Sequence, residues 1–99
     1  MGIFKTVDEK FKEIGFEKIA ENEYGATYEK IIQEHDYVHV IHLGRKRSGF
    51  HLIQSYDKGL YDEKYTGNVG VGLTMYETKL CLKKMKQMGW QVKKVKKDG

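Results

Sequence analysis

Tyr37-Val-His-Val-Ile-His-Leu43, the turn Gly44-Arg-Lys-Arg-Ser-Gly49 and then Phe50-His-Leu-Ile-Gln-Ser-Tyr56 read as two strands joined by a polar, glycine-bracketed loop. β-Branched and aromatic residues recur with a period of two on either side of it, the pattern of half-buried strands. So short a connection predicts an antiparallel pair. Placing Leu43 opposite Phe50 sets a register in which Ile41 faces Leu52 and Tyr37 faces Tyr56. Working outward toward the N-terminus, the same period runs through 25–32 and 16–20, separated by the polar turns Gln33-Glu-His-Asp36 and Glu21-Asn-Glu23. Across the first of these turns Tyr28 and Ile32 meet Ile41 and Tyr37, an aromatic and aliphatic face for helices to cover. Lys30, His39 and Gln54 interrupt that face, which means either that they snorkel at its edge or that the register is a different one. The opposite face then carries Ile31, Val38, Val40 and Ile53 beside Thr27, Glu29, His42, His51 and Ser55. A one-residue slip would exchange the two sets.

The strands are framed by two passages with the same local grammar: Thr6-Val-Asp-Glu9 leading to Gly15-Phe16, and Thr74-Met-Tyr-Glu77 leading to Gly89-Trp90. In each, the threonine hydroxyl is placed to accept from the third following amide and the glutamate to reach back, a capping box. In each, a glycine ends the run in the left-handed conformation, and the next aromatic folds back, Phe16 onto Phe11 and Trp90 onto Met85. Phe4, Val7, Phe11 and Ile14 form one stripe of the first helix. Over 75–88, Cys81, Leu82, Met85 and Met88 gather on the predicted buried side, widened by Tyr76 and Leu80, with Lys79, Lys83 and Lys86 opposite. Between 57 and 73, Gly59, Gly67, Gly70 and Gly72 raise the entropic cost of regular structure and predict a long loop with a short edge strand at 68–73. The fold class is α+β: an antiparallel sheet of about four strands, flanked by an N-terminal and a C-terminal helix packed on one face. It is read as a single domain over 1–99, with a basic flexible tail at 92–99.

Ninety-nine residues supply one hydrophobic core and not two. No apolar run approaches the roughly 20 residues of a membrane span, and the start of the chain lacks the apolar stretch of a secretory leader, so a cytoplasmic protein without membrane contact is expected. The single cysteine, Cys81, excludes an internal disulfide and a multi-cysteine zinc site. The net charge of +4 is unevenly spread. Residues 1–36 hold five Lys against nine Asp or Glu, a balance of −4, whereas 37–99 hold thirteen Lys or Arg against five acids, a balance of +8. Such a basic pole attracts polyanions or an acidic protein.

Candidate chemistry is sparse. In the register above, His42 and His51 face one another beside Thr27 and Glu29, a pattern suited to a transition metal or to proton transfer. No third ligand accompanies them, and solvated or interfacial histidines account for the pair, so no metal is expected. Gly67-Asn-Val-Gly-Val-Gly72 precedes the second helix, where backbone amides can cradle phosphate. It lacks the Gly-Lys-Ser/Thr ending of a phosphate loop and reads as a connector, so no cofactor is expected. Cys81 falls in the core, neither Ser48 nor Ser55 has a base, and no catalytic residue is assigned. Arg45, Lys46 and Arg47 at the hairpin tip, with Lys83, Lys84 and Lys86, are the candidates for contact with nucleic-acid phosphates.

In Tyr28-Glu-Lys30, the strand 37–43, Leu73-Thr-Met-Tyr-Glu77 and Met88-Gly-Trp90, the chain resembles small prophage-type proteins of low-GC Gram-positive bacteria. That resemblance implies an α+β fold and a phage-like or accessory origin, and no functional residue. The sequence therefore points to a non-enzymatic interaction or self-associating module, a homodimer or a complex with a protein partner formed through Ile31, Val38, Val40 and Ile53, because exposed aliphatic sets of that size are usually covered. The alternative is a nucleic-acid-binding protein using the basic hairpin tip and C-terminal lysines.

Overall fold

The computed structural model describes residues 5–45, 49–59 and 70–90. Helix α1 (Val7–Glu13) leads into strands β1 (Glu17–Asn22), β2 (Gly25–Ile32), β3 (Tyr37–Arg45) and β4 (His51–Gly59), and helix α2 (Met75–Gln87) follows. The strands form one antiparallel sheet in the order β1-β2-β3-β4. Both helices lie on the same face of it: Phe11 of α1 and Leu80 and Cys81 of α2 share a buried cluster with Phe16, Ala26, Tyr28, Ile41 and Leu43. Phe11 stacks on Tyr28 at 4.1 Å and meets Phe16 edge-on at 6.0 Å, so the first helix is keyed to the sheet by three aromatic rings.

The helix ends follow the local signals. Thr74 and Glu77 close the expected reciprocal capping box, whereas at α1 only its first arm forms, the Thr6 hydroxyl accepting from the Glu9 amide at 3.1 Å. At the other ends, Gly15 and Gly89 have φ of +97° and +83°, and the amides of Phe16 and Trp90 donate back to the carbonyls of Phe11 and Met85 at 2.9 and 3.0 Å.

The β2–β3 register is the expected one, with Tyr28 opposite Ile41 and Ile32 opposite Tyr37. The β3–β4 register is corrected by three positions: Leu43 faces Ile53, Ile41 faces Ser55 and Tyr37 faces Gly59. An odd shift turns the whole strand over. His51, Ile53 and Ser55 move beneath the helices, and Leu52, Gln54 and Tyr56 move to the open face. The ladder is longer than expected because β3 runs on through Arg45 and β4 through Gly59, into what reads as loop in the sequence. Ile53 gains the edge of the core, and the buried His39 gains a partner, its Nε2 lying 2.6 Å from Ser55 Oγ. Of the three polar interruptions, Gln54 thus leaves the core side. Lys30 stays, with its stem beneath Gly15 and its ammonium 5.7 Å from the centroid of the Phe16 ring.

Beyond β4, Gly70 forms an isolated bridge with Tyr56, and the Val71 amide donates to the Ser55 carbonyl. The expected tail at 92–99, most of the expected loop, and Lys46 and Arg47 lie outside the described residues. Among the described residues no helix is long and apolar enough to cross a membrane.

Candidate functional site

The register determines what happens to the residues singled out by sequence. His42 pairs with Gln54 and not with His51, which lies on the other face and stacks on Trp90 at 4.4 Å, so the proposed histidine pair is not assembled. The expected aliphatic surface is not assembled either. Ile53 packs against the core from the helix side, and Val38 and Val40, although on the open face, are only 5% and 1% exposed. Lys58 of β4 bonds Glu29 of β2 at 2.5 Å, a pair whose residues lie opposite Val38 and Val40 and which crosses β3 between them. Of the four, Ile31 alone is exposed, at 57%.

The basic set divides as well. Lys84 is buried: its ammonium lies 3.2 Å from Asp8 Oδ1 and 2.7 Å from Glu21 Oε1, and Lys18 contacts the same two carboxylates at 2.8 and 3.1 Å. Tyr28 completes the cluster by donating its hydroxyl to Asp8 at 2.5 Å. Burial pushes the Asp8 carboxyl upward, but hydrogen bonds from Lys18, Tyr28 and Lys84 outweigh it and hold the group below its ordinary value. Glu21 is held low chiefly by its hydrogen bond from Lys84. This alternating network ties α2 to α1 and β1, and Lys84 is withdrawn from any phosphate. Cys81 is inert for a related reason, since burial pushes its thiol up to about 12 and leaves no thiolate at neutral pH.

Recruitment of Lys84 sets the rotation of α2. The buried stripe is Leu80, Cys81 and Lys84, and Leu82, expected on the buried side, is turned out and 52% exposed. With Met75, 91% exposed, it forms the floor of an open groove of about 440 Å³ together with Leu73 and Thr78. Lys79, Lys83 and Lys86 complete the lining. Lys10 of α1 approaches the same rim, because the charges of Lys10 and Lys79 hold the Lys83 ammonium below its ordinary pKa. None of these four ammonium groups has a carboxylate partner among the described residues. An apolar strip set among crowded like charges is the distinctive surface of the molecule. The sequence contains its signal in the spacing of Met75, Lys79, Leu82, Lys83 and Lys86, but that signal becomes readable only once the helix rotation is known.

Arg45 is exposed at the end of β3, paired with His51. Comparison of the chain with protein-family models, with curated proteins and with solved structures finds no match. The functional reading accordingly rests on the geometry of these surfaces.

Proposed function

We propose that this protein is a non-enzymatic interaction module that docks an acidic, amphipathic segment of a partner protein on the outward face of α2. The observation that carries the reading is the exposure of Met75 and Leu82 among lysines that have no described counter-charge. A helix with apolar residues on one stripe and carboxylates beside it would cover the floor and neutralise the rim at once. Nucleic acid, the alternative reading, meets the lysines but offers nothing to cover a floor of leucine and methionine, since base stacking uses aromatic platforms. Self-association through the open sheet face loses its motive, because three of its four aliphatic residues are not on the surface.

The test is titration of the labelled full chain with a designed helical peptide bearing leucines at helical spacing flanked by glutamates, and in parallel with single- and double-stranded oligonucleotides, across a salt series. Saturable peptide binding is expected, weakened at least tenfold by Leu82→Ser and separately by Lys83→Glu. Tight oligonucleotide binding with a steep salt slope, unaffected by Leu82→Ser, would replace this reading with phosphate recognition. Absence of binding to either probe would remove α2 as the site.

A further inference from the structure

We propose that Lys83 is a modification site, whose Nζ accepts the acyl group of a short-chain acyl phosphate drawn to the groove on α2. Lys83 is exposed and lines that groove between Lys79, one helical turn before it, and Lys86, one turn after it. None of the three has a carboxylate partner among the described residues, so the rim presents uncompensated positive charge to an anionic donor. Leu73, Met75 and Leu82 line the same groove and offer an apolar surface to the aliphatic end of that donor. The next residue, Lys84, has the opposite surroundings: it is buried, and its ammonium lies 2.7 Å from Glu21 Oε1 and 3.2 Å from Asp8 Oδ1. Of two consecutive lysines, one is presented to solvent and the other is withdrawn.

Only an unprotonated amine attacks a carbonyl, and cationic neighbours favour that form. At Lys83 they are Lys10 of α1 and Lys79 of α2, whose charges hold its ammonium below the ordinary value. In the reaction the ammonium first gives one proton to water, and the Nζ lone pair then attacks the acyl carbonyl carbon. The N–C bond forms as the C–O bond to the phosphate breaks, inorganic phosphate leaves with the bonding pair, and a second proton passes from Nζ to water. Nothing is oxidised or reduced. The product amide is neutral, so the rim loses one positive charge and with it part of its attraction for an acidic partner. That last consequence rests on the reading of α2 as a docking face, whereas acylation itself does not.

The full chain is treated with acetyl phosphate and, in parallel, butyryl phosphate at pH 8, and the initial rate at each lysine is read by peptide mass spectrometry. Lys83 is expected to react at least fivefold faster than Lys12, an exposed lysine of α1, and Lys84 to stay unmodified while the chain is folded. Lys10→Gln combined with Lys79→Gln is expected to slow Lys83 at least threefold and to leave Lys12 unchanged. Added salt is expected to narrow the gap between Lys83 and Lys12, and Leu82→Ser to reduce butyryl transfer more than acetyl transfer. Equal rates at Lys83 and Lys12, or a Lys83 rate indifferent to the double variant, would overturn the assignment. Selective acylation of Lys83 in a chain that binds no acidic peptide in either form would sustain the modification site and remove the docking reading alone.

Discussion

Replacing Lys84 by methionine isolates the one charged group among the described residues that the fold takes almost fully out of water. The ammonium is 4% exposed and makes contacts of 2.7 Å to Glu21 and 3.2 Å to Asp8. Two charge-assisted hydrogen bonds at about 1.5–3 kcal/mol each set the upper bound on the loss. Three features reduce it: methionine refills most of the stem, Lys18 continues to serve both carboxylates, and those carboxylates are 31% and 35% exposed and so remain partly solvated. The net cost of Lys84→Met is expected to be about 2 kcal/mol, below the 3–5 kcal/mol of a fully buried pair broken on one side. Urea denaturation at pH 7 measures it directly, and a melt is expected to fall by roughly 8–16 °C for a domain of this size. The pH dependence identifies the origin of the loss. Asp8 and Glu21 titrate below their ordinary 3.8 and 4.5, so the stability they contribute is complete above those values and is lost as pH falls through the lowered folded values. The gap between wild type and variant therefore closes in acid. A variant within about 0.5 kcal/mol of wild type at neutral pH, the size of an ordinary surface substitution, would refute the reasoning. So would a gap that survives full protonation of the carboxylates, because the loss would then come from packing.

His39 supplies a second pH window. Burial, reinforced by Lys30 and only partly offset by Glu77, pushes its imidazole below the ordinary 6.5. The unfolded chain therefore takes up the proton first, and stability is expected to be complete above about pH 6.5 and to decline as pH falls toward the folded value. His39→Gln, which keeps a polar partner for Ser55, is expected to flatten that slope between pH 5 and 7, and an unchanged slope would assign the decline to other groups. Thr74→Ala removes one arm of the α2 capping box and is expected to cost about 1 kcal/mol in the same urea assay. A loss below half that value would mean that the end of the helix is held by packing alone.

Much of the architecture is legible from short-range chemistry. The caps of α1 and α2 involve residues three to five apart, and the glycine stops at Gly15 and Gly89 need only local backbone geometry, so both helices are readable without knowledge of the rest of the chain. The β2–β3 register is equally local, because the connection at Gln33–His35 is one tight turn closed by Asp36 at φ +54°, and the turn alone places Tyr28 against Ile41. The order of four antiparallel strands follows from short connections.

Three decisions belong to the tertiary structure. The first is the parity of β4, where Leu52 and Ile53 are adjacent and both apolar, so that the strand has an acceptable face either way. Packing under the helices selects Ile53 and with it the separation of His42 from His51. The second is the rotation of α2, whose wheel offers Leu82 as readily as Leu80, until two carboxylates from α1 and β1 draw Lys84 inward and turn Leu82 and Met75 to the surface. Asp8 lies 76 positions from Lys84, a separation across which no periodicity carries information. The third is the meeting of Gly25 and Gly44, two unremarkable loop-edge residues in sequence that line one concavity only when β2 and β3 bring them side by side. The sequence by itself determined the elements, because capping and strand periodicity act between near neighbours. Only the folded chain decided which faces are buried, because burial is a competition among residues distant in sequence for the same volume.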